Sequence, residues 1–199
     1  MSLPAPRPGI LNIKPYKPGS SAAPGAAEIH KLSSNESALG ASPKAVDAYK
    51  SSCEALYLYP EGTSAALREK IGEIHGIDPA RVICGAGSDE ILQLLARAYL
   101  GPGDNIIQSA HGFLVYAIAA MACGAETRFA PEQNLTGDVD AILDLVDEKT
   151  RIVFLANPNN PTGTMIGGNE VVRLADGLPE GCLLVLDGAY AEFVEGFDG

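Results

Sequence analysis

Basic residues are scarce in this sequence: 14 lysines and arginines face 25 aspartates and glutamates, a formal net charge of -11. They form no run, so nothing is set out to meet a phosphate backbone, and neither nucleic acid nor an anionic membrane is expected as a partner. No stretch is long and apolar enough to cross a bilayer. No charged segment followed by an apolar one opens the chain, so no secretory signal is legible and the cytoplasm is the expected location. The four cysteines, Cys53, Cys84, Cys123 and Cys182, have neither metal-ligand nor redox spacing. Free, mostly buried thiols are expected instead. His30, His75 and His111 are equally scattered. Neither a metal site nor a Ser/His/Asp nucleophile is expected.

What is present suits a globular chain. Hydrophobic residues make up 46% of 199, enough for one ordinary domain with a real core. Residues 1–35 are rich in Pro, Gly, Ser and Ala and read as an extended arm. Ser42-Pro43 opens a helix, with Ala45, Val46, Tyr49 and Cys53 at helical spacing. A second helix runs from Thr63 or Ser64 to Gly76, a residue suited to end it. From Val82 the period changes. Val82-Ile83-Cys84 reads as a short buried strand, Gly85–Asp89 as a loop and Glu90–Leu100 as a helix. Strands at 105–109, 125–130, 151–156 and 182–186 then alternate with helices at 113–123, 138–146 and 169–178. Such alternation predicts an α/β fold: right-handed βαβ units, hence a mostly parallel sheet with helices on both faces.

Two polar clusters each follow an apolar strand. Asn157-Pro158-Asn159-Asn160-Pro161-Thr162-Gly163 follows Ile152–Ala156, and Asp187-Gly188-Ala189-Tyr190 follows Cys182–Leu186. In open α/β sheets ligands bind at the carboxyl ends of strands. Taken singly, each cluster could be no more than turn punctuation. A third candidate is Gly85-Ala86-Gly87-Ser88-Asp89. Glycines allow close backbone approach, and a helix start offers free N–H groups to an anion. Ser88 or Asp89 could equally be an ordinary helix cap. A dinucleotide fingerprint would need a third glycine where Glu90 stands, which favours a single phosphate.

The clusters, in this order, resemble the pyridoxal-phosphate-dependent aminotransferases of fold type I. The resemblance implies that Asn160 and Tyr190 reach the cofactor's phenolic oxygen. Asp187 faces the pyridine nitrogen, and Gly87, Ser88 and Asp89 touch the phosphate. Phe113, with Tyr116 three residues on, takes the place of the aromatic that stacks on the ring. The family's bend at Asn160-Pro161 makes that bond a candidate for a cis peptide, because only X–Pro bonds adopt cis readily.

Pro15-Tyr16, Leu32–Glu36, Tyr59-Pro60-Glu61-Gly62 and Gly87–Leu92 are similar to the histidinol-phosphate aminotransferase branch of that family. This implies a substrate contact at Tyr16 and, with weaker support, at Asn35. It implies that Tyr59 reaches the cofactor site of the neighbouring subunit in a homodimer. It also implies amino transfer between glutamate/2-oxoglutarate and histidinol phosphate/imidazole-acetol phosphate. Ala38, Glu61 and Gly188 depart from the pattern. They leave open an aromatic amino acid aminotransferase, a threonine-phosphate decarboxylase, or a catalytically silent binding module. None of the seven lysines (Lys14, Lys17, Lys31, Lys44, Lys50, Lys70 and Lys149) stands after the Asp187 strand, where the family has its Schiff-base lysine. The expectation is therefore an arm at 1–35 and part of a cofactor-binding large domain at 36–199. The lysine, a carboxylate-binding arginine and a small domain would lie further on. Residues 1–199 alone are not expected to transaminate.

Overall fold

The computed structural model describes residues 6–7, 9–14, 25, 34–37 and 39–196. Its described residues fall into two units, one within 14–83 and one made of 1–13 with 84–199. In the second unit the elements alternate as the periodicity requires. In chain order they are α3 (Gly87–Tyr99), β1 (Asn105–Ser109), α4 (Leu114–Cys123) and β2 (Glu126–Ala130). A short hairpin follows, β3 (Glu132–Gln133) and β4 (Thr136–Gly137), then α5 (Val139–Leu143), β5 (Thr150–Ala156), α6 (Gly168–Gly177) and β6 (Leu183–Asp187). In the first unit lie α1 (Pro43–Ser52) and α2 (Ala65–His75).

The main sheet is parallel throughout, in the order β2-β1-β5-β6. From β1 the chain steps outward to β2, then crosses back to lay β5 against the other side of β1. The order therefore reverses between β1 and β5, and a crevice opens at their carboxyl ends. The pleat sends alternate residues to opposite faces. Ile106, Ile152 and Phe154 pack with Leu92 of α3 and with Tyr116 and Ala120 of α4. Ile107, Val153 and Leu155 pack with Val139 and Ile142 of α5 and Leu174 of α6. Both faces of the sheet are thus covered, as expected. Burying each such aliphatic side chain contributes about 1.5–3 kcal/mol, which is what holds the layers together.

Several sequence expectations need correction. Residues 82–84 are not a strand: after a 3-10 turn at Pro79–Arg81, Val82 is extended but has no ladder partner among the described residues, and Ile83 is 79% exposed. Three apolar residues in a row do not specify a strand unless a neighbour takes up their backbone groups. Helix α3 begins at Gly87, three residues before Glu90. The Glu90 carboxylate reaches back to accept from the Ala86 N–H at 2.6 Å, so the first turn winds earlier. The hairpin was not expected. Its turn residues Asn134 and Leu135 have φ of 52° and 62°, the left-handed pair that such a turn needs but that leucine rarely supplies. Of the four free thiols only Cys123 is buried; Cys53 is exposed, and Cys84 and Cys182 are intermediate.

Within 14–83, Ser42 precedes Pro43 at the start of α1 as expected, although its side chain makes no capping bond. Gly76, at φ 67°, ends α2. Arg68 donates to the Pro79 carbonyl through Nε at 3.0 Å and Nη2 at 2.7 Å, tying α2 to the turn that follows it. The apolar spacing forms the helices without burying a face: Tyr49 is 76% exposed and Ile74 65%. Among the described residues of both units, no helix is long and apolar enough to cross a membrane.

The amino end of the sheet carries a polar knot. Asn105 donates from Nδ2 to Asp147 Oδ1 at 2.9 Å, and Arg128 Nη2 lies 2.7 Å from Asp147 Oδ2. The Asn105 bond first, then Arg128 and the Lys149 N–H, hold the Asp147 carboxyl well below the ordinary carboxylate range against an opposing effect of burial. A depressed folded-state value gives stability that is present above the unfolded value near pH 4 and lost as pH falls toward the folded one. Thermal melts from pH 7 to pH 2 are therefore expected to fall more steeply below about pH 4 in the wild type than in Asp147→Asn. The variant is expected to be the less stable of the two at pH 7. Parallel curves would remove Asp147 from the acid response.

Candidate active site

Three loops leave the carboxyl edge of the sheet, and each delivers side chains to one cavity. From the β1 loop comes Phe113, and from the following helix Tyr116. The loop after β5 supplies Pro158 and Asn160, the end of β6 supplies Asp187, and the segment after it Ala189 and Tyr190. Ser88, in the first turn of α3, closes the wall.

Local chemistry fixes each loop. The β1 loop turns through Gly112, whose N–H donates to Ser109 O at 2.9 Å. A Cβ at Gly112 would meet Gln108 Nε2 at 2.9 Å and Ser109 O at 3.0 Å, so a larger residue would force the Gln108 amide and the turn to shift. Glu132 grips the same loop, accepting from the His111 N–H at 2.9 Å and lying 2.8 Å from His111 Nδ1. His111 is thus a loop anchor and lines no wall of the cavity.

The Asn157–Gly163 segment is held by its own amides. Asn157 is 1% exposed; its Nδ2 donates to Ile166 O at 3.1 Å and its Oδ1 accepts from Ile166 N at 2.9 Å. Asn159 donates to His111 O at 3.2 Å and to Thr162 Oγ1 at 2.9 Å, joining the β5 and β1 loops. Both Asn157-Pro158 and Asn160-Pro161 are cis, the second as expected. Truncating Asn157 to alanine would strand a buried donor and a buried acceptor at Ile166, at about 1–3 kcal/mol each. Urea unfolding of Asn157→Ala is expected to show a loss of roughly 2–4 kcal/mol; a loss under about 1 kcal/mol would mean that the loop is held otherwise.

Asp187 ends β6. Its Oδ1 accepts from the Ala189 N–H at 3.1 Å, and its Oδ2 accepts from the Tyr116 hydroxyl at 2.7 Å. Tyr116 is 1% exposed, lies parallel to Phe154 at 4.6 Å and 4°, and meets the edge of Phe113 at 5.7 Å and 85°. Burial first, then the Asp187 bond and charge, push its phenol far above the ordinary range, so it stays a donor. The bond to Asp187 could not be read from the sequence, since the partners are 71 residues apart. One signal was available: a tyrosine on a buried helix face needs a partner for its hydroxyl.

Of the residues expected to form the site, Ser88, Phe113, Asn160, Asp187 and Tyr190 share the cavity. Gly87 stands at φ 72° and lets the chain enter α3 beside Ser88. The Asp89 carboxylate turns along its own helix and accepts from Gln93 Nε2 at 2.9 Å. Tyr59 and Asn35 belong to the 14–83 unit; Tyr59 is 96% exposed and Asn35 has φ 52°. Tyr16 lies outside the described residues. The set brings together an acid, amide and phenol donors, apolar walls from Phe113, Ala156 and Pro158, and a helix start. These residues fit a flat, protonated aromatic ring that carries an anionic arm.

The chain is similar to known proteins. A histidinol-phosphate aminotransferase of Maricaulis maris is 59% identical over 97% of this chain and 53% of its own length. One from Rhodopseudomonas palustris is 60% identical over 98% of this chain and 53% of its own. The crystal structure of histidinol-phosphate aminotransferase from Sinorhizobium meliloti in complex with pyridoxal-5'-phosphate superposes with a TM-score of 0.76 at 29% identity, covering 79% of this chain and 43% of that one. The chain spans about half the length of the curated relatives it matches. The family model for aminotransferase class I and II matches residues 27–198, and the chain belongs to that family.

Proposed function

We propose that this chain forms the cofactor cradle of a pyridoxal-phosphate-dependent aminotransferase. In this reading the enzyme exchanges an amino group between glutamate/2-oxoglutarate and histidinol phosphate/imidazole-acetol phosphate, in the cytoplasmic synthesis of histidine. The observation that carries the reading is the meeting of Ser88, Phe113, Asn160, Asp187 and Tyr190 in one cavity at the point where the strand order reverses. The relatives' names support the choice of substrate.

When bound, the cofactor supplies an electron-poor ring that takes up the electron pair left behind as the substrate's Cα proton departs. Asp187 sets a carboxylate against the ring nitrogen and keeps a proton there. Asn160 and Tyr190 serve the phenolic oxygen. Phe113 covers a ring face and keeps water from it. Ser88 and Asp89 take the phosphate on first-turn N–H groups, which have no acceptor inside a helix, and Gly87, whose own N–H donates to Gly85 O at 2.8 Å, lets the backbone approach it. Tyr16 and Asn35 are assigned to the substrate, and Tyr59 to the site of a second copy in a homodimer. The described lysines line none of this cavity. We therefore assign the lysine that moves the proton, the carboxylate-binding arginine and a small domain to segments outside residues 1–199, with 1–35 as an arm and 36–199 as large domain.

The test is an assay of the protein that carries this chain. Glutamate release from 2-oxoglutarate is measured with histidinol phosphate and with phenylalanine as donors. A higher kcat/KM for histidinol phosphate is expected. Equal or reversed values would replace this substrate with an aromatic amino acid.

A further inference from the structure

The carboxylate of Asp187 touches two donors, and only one of them is a side chain. A buried hydroxyl left unpaired is costly, and phenylalanine would fill the Tyr116 site at no such cost. The Tyr116 oxygen therefore answers to Asp187. We propose that Tyr116 is a positioning residue. Its hydroxyl, 2.7 Å from Asp187 Oδ2, fixes the plane of the carboxylate that faces the ring nitrogen. The inference rests on the reading that Asp187 meets the pyridine nitrogen of the cofactor.

Three observations carry it. The phenol cannot swing away, because its ring is clamped between the parallel face of Phe154 and the edge of Phe113. The proton does not cross to the acid, because burial and the neighbouring charge keep the phenol protonated. Finally, the donors are shared out: Tyr116 serves Oδ2 and the Ala189 N–H serves Oδ1. Each carboxylate oxygen has two acceptor sites, so each keeps one for the ligand. The cavity thus presents an aimed anion, joined through one hydrogen bond to the aromatic core under the sheet.

The test compares two ligands in the protein that carries this chain: pyridoxal phosphate, and the analogue with carbon in place of the ring nitrogen. Tyr116→Phe keeps the ring and its packing and removes only the hydroxyl. Dissociation constants by absorbance titration are expected to show wild-type preference for pyridoxal phosphate, with that preference falling about tenfold in Tyr116→Phe, the scale of one charge-assisted hydrogen bond. Affinity for the analogue should stay within about twofold, since it offers the acid no charge. An unchanged preference in Tyr116→Phe would make Tyr116 a packing residue and overturn the proposal. If the wild type itself binds both ligands equally, the assignment of Asp187 to the ring nitrogen fails first.

Discussion

In the aminotransferase proposed above, Asp187→Asn should cost roughly 100- to 1000-fold in kcat, the scale seen when one preorganised electrostatic partner is removed from an active site. The amide has the size of the acid: its oxygen can still accept from the Ala189 N–H and its NH2 can donate to the Tyr116 oxygen, so the fold around it stands. What it lacks is charge. A protonated ring nitrogen in a cavity walled by Phe113, Ala156 and Pro158 would lose its counter-charge. The nitrogen then sheds its proton and the ring becomes a poorer electron sink. Steady-state kinetics together with absorbance titration of pyridoxal phosphate would check this. Wild-type turnover in Asp187→Asn would remove Asp187 from the chemistry.

The largest effect on stability is expected at Phe154. It is 1% exposed, lies in the middle of β5 between two neighbouring strands, and stacks on Tyr116. Phe154→Ala removes a ring from a packed interior that relaxes only in part, at about 3–5 kcal/mol. At roughly 2–4 °C per kcal/mol for a chain of this size, the melting temperature should fall by roughly 6–20 °C. Because Tyr116 then loses one of its two clamps, cofactor affinity should fall as well. A melting temperature within about 2 °C of the wild type would mean that the layer is not packed as described.

These two residues also mark where the sequence was legible. Strands β5 and β6 stood out because their apolar runs, Ile152–Ala156 and Leu183–Leu186, are unbroken and end at Asn157 and at Asp187-Gly188. The polar clusters after β5 and β6 could be placed at one edge because parallel strands all point the same way. Val82-Ile83-Cys84 shows the limit: its composition matches a strand, but strand character comes from a neighbour that sequence alone does not display. The Leu135 turn escaped because leucine carries no signal for a left-handed backbone. Helix α3 was placed late because Glu90 acts backward, on Ala86. Tyr116 could be placed beside Phe113 by spacing, yet its bond to Asp187 depends on how α4 lies over the sheet.

Strand β5 has a consequence for what insertions the chain tolerates. Its odd and even positions feed different cores: Ile152 and Phe154 on one side, Val153 and Leu155 on the other. Losing a single residue from its middle would turn every later side chain to the opposite layer. Asn157 would move with them, and the loop that presents Asn160 would lose its anchor at Ile166. A frame error of one step in this strand would therefore empty the pocket as surely as deleting its acid, whereas the two-residue hairpin at 132–137 could lengthen at its tip with neither core disturbed.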